Sequence, residues 1–134
     1  MKGDKKSVEY LGVRINGIAP ARMNNIELLE PIFREKIREL LRAMKTAGFE
    51  PWLFETKRSY ERQVWLYAQG RVIEKGKKPV TWTIESKHRS GEAADIIEMA
   101  KLWSDPLFFK RLKIEAVKLG LLVLKRESCH VEQK

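Results

Sequence analysis

Ser86-Lys87-His88-Arg89-Ser90-Gly91-Glu92-Ala93-Ala94-Asp95-Ile96-Ile97 is the stretch on which the reading of this chain turns. Ala93 to Ile97 is short and apolar apart from one carboxylate, which predicts a buried strand carrying Asp95. A buried carboxylate must be paired or coordinated. Strand residues alternate in direction, so Ala93 and Asp95 share one face and Ala94 and Ile96 the other. Small neighbours leave room around Asp95. Gly91 permits a backbone turn that a residue with a Cβ resists. His88 then lies in the loop ahead of the strand.

The second histidine, His130, lies in Glu127-Ser128-Cys129-His130-Val131-Glu132. A catalytic zinc needs three protein ligands and one open position for water. His88, Asp95 and His130 are the candidates for those ligands. Zinc lowers the pKa of its water towards neutrality, and Glu127, three residues before His130, is placed to take that proton and return it to a leaving amine. Arg58, at a strand-to-helix junction, is the candidate for stabilising an oxyanion. Zinc with ionised Asp95 and Glu127 is neutral, so Arg58 leaves the site positive and suited to an acidic substrate. Cys129 is the only cysteine, which excludes an internal disulfide and a multi-cysteine structural zinc site. Beside His130 on a strand it faces the other way, and it reads as a packing residue rather than the nucleophile of a Cys–His pair.

Outward from these motifs, the apolar stripe Leu28, Leu29, Ile32, Phe33, Ile37, Leu40, Leu41 and Met44 predicts a helix between Ile26 and Ala47. Its regular part starts near Pro31 and stops at Gly48. Pro51 to Glu55 reads as a core strand. Ser59 is an N-cap for a helix ending at Gly70, with Arg62 where a capping box has Glu or Gln. Val80 to Thr83 reads as strand-like or extended. Asp105-Pro106 opens another helix, to Gly120, followed by a buried strand, Leu121 to Leu124. Near the start, Val8 to Ile15 predicts one short strand after a frayed segment, residues 1–8. Gly17 to Asn25 reads as loop and Glu74 to Lys78 as a charged turn. Helices and strands mix without strict alternation, so the expected class is α+β, in one domain spanning 1–134.

The chain has 134 residues, 34% charged and 43% apolar, which fits one globular domain rather than a disordered chain. No apolar run is long enough for a membrane span. No apolar segment follows the charged start, so no secretory signal is expected and synthesis is expected in the cytoplasm. The net charge of +9 favours polyanionic partners: nucleic acid, an anionic lipid surface or an anionic wall polymer. The cations are scattered, without a basic stripe interleaved with stacking aromatics, so nucleic acid is the disfavoured partner.

At these residues the sequence resembles the zinc peptidases of the bacterial cell wall, both the D-alanyl-D-alanine carboxypeptidases (VanY-like) and the phage L-alanyl-D-glutamate endopeptidases. Ser86, His88, Gly91, Ala93 and Asp95 match the first motif of that family. Glu127, His130 and Glu132 match the second. Lys57 to Gln63, Leu66 to Arg71 and Val80 to Thr83 are similar to the endopeptidase branch. The resemblance implies a small antiparallel sheet flanked by helices, a core shared with the Hedgehog signalling domain. It implies zinc on His88, Asp95 and His130, with Glu127 as general base and acid and Arg58 at the oxyanion. Ser86 and Gln63 are the residues expected to meet substrate. The implied partner is the peptidoglycan stem peptide, and the implied activity is L-alanyl-D-glutamate endopeptidase of a lysis type, released through a holin-like pore. Glu127 stands where the endopeptidase branch usually has Asp, and Val131 where an aromatic is frequent. A D-Ala-D-Ala carboxypeptidase or dipeptidase is therefore the alternative within the family. A basic nucleic-acid-binding module and a zinc domain without catalysis are the alternatives outside it, and intact Glu127 and Arg58 oppose the latter.

Overall fold

The structure, a computed structural model, describes residues 7–81, 83–125 and 127–134. In chain order it has β1 (Val8–Tyr10), β2 (Val13–Ile15), α1 (Pro31–Thr46), β3 (Pro51–Glu55), α2 (Tyr60–Ala68), β4 (Ala93–Glu98), α3 (Pro106–Lys118), β5 (Leu122–Leu124) and β6 (Glu127–Glu132). The class is α+β, as the element pattern predicts. β3, β4, β6 and β5 form one sheet in that order, every pair antiparallel.

Each helix begins where its sequence supplies acceptors for the orphan N–H groups of a first turn. Glu30 accepts from Ile32 and Phe33 ahead of Pro31. Ser59 accepts from the Arg62 amide, and Asp105 accepts from Leu107 and Phe108 ahead of Pro106. The apolar stripe of α1 is inside at Phe33, Ile37, Leu40 and Met44, whereas Ile32 is exposed and Leu41 only partly buried. Those side chains join Ala94, Ile96 and Val131 of the sheet and Phe108, Leu112 and Ala116 of α3 in the main core. Burying each large apolar side chain stabilises by about 2–3 kcal/mol. Thus α1 and α3 cover one face of the sheet, the face of Ala94 and Ile96. The opposite face is left for Asp95.

Four expectations need correction. Val8 to Ile15 is a hairpin, not one strand: Leu11 and Gly12 both take positive φ, 51° and 81°, which makes the two-residue turn whose twist suits a hairpin. It packs on α2 through Ile15, Val64 and Ala68, with Tyr10 stacked on Tyr67. Val8 is thus ordered into a strand, while residues 1–6 lie outside the described residues. Val80, Thr81 and Thr83 lie in no strand, which removes the strand-like reading of that segment; Trp82 lies outside the described residues. Finally, β5 is at the sheet edge, so Leu122 is exposed rather than buried. No helix among the described residues is long and apolar enough to cross a membrane.

Candidate metal centre

Register puts the site in one row across the sheet. Glu55 of β3 pairs with Asp95 of β4, and Asp95 pairs with His130 of β6. Direct partners in adjacent strands point to the same face. Two irregularities flank the row, one between Leu53 and Glu55 and one where β6 passes β5 between Val123 and Leu124. Extra residues of this kind re-aim side chains. The second explains how Glu127, at an odd spacing of three from His130, still reaches its imidazole.

His88 arrives from the loop before β4. Its ring Nδ1 lies 2.7 Å from the Thr56 carbonyl oxygen. A carbonyl only accepts, so Nδ1 carries the proton and Nε2 holds a lone pair. That Nε2 is buried without a hydrogen-bond partner and faces Asp95 Oδ1 at 3.3 Å. The loop is held from several sides: Ser86 Oγ accepts from the His88 amide, and the His88 carbonyl accepts from Arg58 N–H. Gly91 has φ +75°, and a Cβ there would stand 2.8 Å from the Leu28 carbonyl oxygen, so glycine is required.

His130 is set in the complementary way. Its Nε2 is 2.7 Å from Glu132 Oε1; with Glu132 ionised this is an N–H donating to a carboxylate. Nδ1 is left with its lone pair, 3.3 Å from the same Asp95 Oδ1 and 3.5 Å from Glu127 Oε2. The two rings are 5.1 Å apart at 72°, and the ligand-type atoms of His88, Asp95 and His130 all lie within 4.8 Å of one another. Bonds of about 2.0–2.1 Å in a tetrahedron imply ligand-to-ligand edges of roughly 3.3–3.4 Å. Both edges from Asp95 Oδ1 have that length. With both rings neutral in these tautomers three lone pairs converge, which is what a divalent cation requires. The residues fit a metal ion.

Burial opposes ionisation of Asp95, yet its carboxyl is held far below the usual carboxylate range by His130 and His88. Burial also opposes a charge on His130, and Asp95, Glu132 and Glu127 outweigh it, so its pKa is raised. A metal ion and a proton compete for this imidazole.

Behind Asp95 lies a buried polar cluster. Glu55 is 2% exposed; its Oε1 accepts from Arg58 Nη2 at 2.7 Å and its Oε2 from Arg62 Nε at 2.6 Å. Despite burial, these arginines hold the Glu55 carboxyl below its ordinary range. Arg58 Nη2 also lies 3.7 Å from Asp95 Oδ2, and Arg58 Nη1 donates to Gln63 Oε1 at 2.9 Å. Arg58 Nε is buried without a hydrogen-bond partner.

A cavity of about 1070 Å³ opens over the row, with Arg58, Ser86, His88, Asp95, Glu127 and His130 in its lining. Phe54 and Trp103 form an apolar wall, in edge-to-face contact at 4.7 Å. Gln63 is different from its expectation as a substrate-side residue. It is fully buried, and its amide is occupied by Arg58 and by the Thr83 carbonyl oxygen, which accepts at 2.5 Å. It braces Arg58. Cys129 packs against the main core, and burial followed by the Asp95 charge pushes its thiol up to about 12, which removes it as a nucleophile near neutral pH.

Glu55 and Thr56 are supporting residues that motif reading passed over, and Glu132, matched within the second motif, had no role assigned there. Glu132 carried a signal, because residues two apart on a strand share a face. Glu55 lies three residues before Arg58 and seven before Arg62, but nothing in that spacing says that the group is buried.

No protein-family model and no curated protein matches the chain. Among solved structures it is similar to the L-Ala D-Glu endopeptidase ChiX of Serratia marcescens, at 19% identity over 82% of this chain and 84% of that one, TM-score 0.60. It is similar to the LD-carboxypeptidase LdcB, at 16% identity over 94% of this chain and 82% of that one, TM-score 0.61. A variant of the vancomycin-resistance D,D-pentapeptidase VanY, in complex with Zn(II), matches at 15% identity over 94% and 76%, TM-score 0.60. Behind the row of candidate ligands, then, this chain has the α+β fold of the L-Ala D-Glu endopeptidase, LD-carboxypeptidase and VanY structures.

Proposed function

We propose that this protein is a zinc-dependent peptidoglycan peptidase that cleaves the wall stem peptide between L-alanine and D-glutamate. The observation that carries the reading is the convergence of the ligand-type atoms of His88, Asp95 and His130 within 4.8 Å of one another, with 3.3 Å edges from Asp95 to each imidazole. Support comes from the fold, whose solved examples include peptidoglycan peptidases and a Zn(II) complex.

In that role His88 Nε2, Asp95 Oδ1 and His130 Nδ1 hold the ion, oriented by Thr56, Glu132 and the sheet register. A zinc ion held there would supply an acidified water and Lewis-acid polarisation of the scissile carbonyl. Glu127, on the cavity wall and 40% exposed, accepts the proton of the attacking water and passes it to the leaving nitrogen. Arg58, immobilised by Glu55 and Gln63 on the cavity lining, faces the negative charge that develops on the carbonyl oxygen. Ser86 keeps the His88 loop in place at the edge where substrate enters. The four carboxylates Glu55, Asp95, Glu127 and Glu132 are balanced by zinc, Arg58, Arg62 and Lys87 to leave one positive charge, which suits an acidic stem peptide. The surplus basic surface is available to an anionic wall polymer.

The presence of Glu127 rather than Asp favours a second reading, release of terminal D-alanine from D-Ala-D-Ala ends by the same site. Mass spectrometry of muropeptides digested with and without chelator separates the two by the masses released. No digestion in either case overturns both. Glu127→Ala should keep its metal and lose about 10³-fold in hydrolysis; full activity in that variant removes Glu127 from the mechanism. A nucleic-acid module without catalysis is not favoured, since Arg58, Arg62 and Lys87 are each paired to a carboxylate at the cavity.

A further inference from the structure

The outer face of α3 has the wrong composition for a helix that meets only water. Leu107 is 69% exposed, Val117 59% and Ile114 45%. At 100° per residue these three and Lys110 fall in one arc opposite the buried Phe108, Leu112 and Ala116. Lys113 borders the arc on one side, Arg111 and Lys118 on the other. The helix has one acidic residue, Glu115, which is buried and accepts from Arg111.

We propose that this face docks the protein on an anionic lipid bilayer. Exposed apolar side chains ringed by cations match the interface of such a bilayer: the apolar arc enters the acyl boundary and the amines meet the headgroups. Charge alone would admit a hydrated polyanion, but that gives Leu107, Ile114 and Val117 no reason to stand in water at the centre of the patch. A second copy of the chain, related by a two-fold axis, would set Lys110 and its neighbours against their own images. The orientation that results is functional. Because α3 covers the Ala94 and Ile96 face of the sheet and the cavity opens on the Asp95 face, a docked molecule turns its cavity away from the membrane. The inference goes beyond the peptidase reading and does not depend on it.

The test is sedimentation of the full chain with vesicles of phosphatidylcholine alone or mixed with phosphatidylglycerol. Binding is expected only to the mixed vesicles and should weaken as salt rises. Lys110→Glu with Lys113→Glu, and separately Leu107→Gln with Val117→Thr, should each reduce partitioning about tenfold or more while thermal melting stays unchanged. If either variant folds poorly, hydrogen exchange of the unaltered protein decides, with protection of α3 expected when mixed vesicles are added. Equal binding to both vesicle types, unchanged partitioning of the variants, or no protection of α3 overturns the proposal. So does a concentration-dependent dimer abolished by Leu107→Gln with Val117→Thr, or duplex DNA binding that needs the lysines but not Leu107 and Val117.

Discussion

The donor atoms of the two imidazoles are set by what their other nitrogens touch. Thr56 carbonyl on His88 Nδ1 and Glu132 on His130 Nε2 leave opposite nitrogens free, Nε2 in one ring and Nδ1 in the other. Loss of such an outer partner costs metal affinity by about 10–100-fold. Glu132→Gln should therefore weaken zinc binding by that amount, measured by competition with a chromophoric chelator, with far-ultraviolet circular dichroism unchanged. The raised pKa of His130 carries a sign in each direction. Without metal, a folded pKa above the unfolded 6.5 contributes stability that is complete below 6.5 and is lost as pH rises through the folded value. Metal binding needs the neutral ring, so affinity should rise across the same interval, with proton release detectable by calorimetry in buffers of different ionisation enthalpy. Affinity that is flat with pH contradicts the assigned donor.

At the scale of elements, the site depends on turns and strand irregularities as much as on strands. Gly91 carries the loop from His88 into β4 at positive φ, close against Leu28 and Glu30 at the start of α1. Gly91→Ala should cost on the order of 1–3 kcal/mol and also weaken metal binding, since His88 and Asp95 lie on either side of it. Asp105→Ala removes the acceptor of two α3 amides and should cost about 1 kcal/mol; chemical denaturation reads both. Element types and most boundaries were legible in the chain, because prolines, caps and glycines mark them: Pro31, Ser59, Asp105 and Gly48 all act where their chemistry predicts. The β1–β2 hairpin was not, since Leu11 at positive φ is an uncommon turn residue and hides the turn.

Across the whole molecule, the buried Glu55 joins Arg58 and Arg62 behind the sheet row. Its carboxyl is held below the ordinary 4.5, so the stabilisation is complete above 4.5 and is lost as pH falls through the lower folded value. The melting temperature should thus decline in acid, and less steeply in Glu55→Gln. That variant leaves two arginines near a buried neutral group and should lose about 3–5 kcal/mol at neutral pH. Equal stability of the two proteins at pH 7 would show that the cluster does not hold the fold together.

The candidates for metal ligand, proton carrier and oxyanion partner could be picked out by residue type, because few side chains bind metal or move protons and this chain has only two histidines. Their convergence could not. His88 and His130 are far apart in sequence; strand register brings His130 to Asp95, and the irregularity where β6 passes β5 brings Glu127 to the His130 ring. Gln63 illustrates the difference: its chemistry suits a substrate contact, yet tertiary packing spends both ends of its amide on Arg58 and Thr83. Side-chain chemistry is local and belongs to the sequence, whereas burial, partners and direction are set by what the folded chain places alongside.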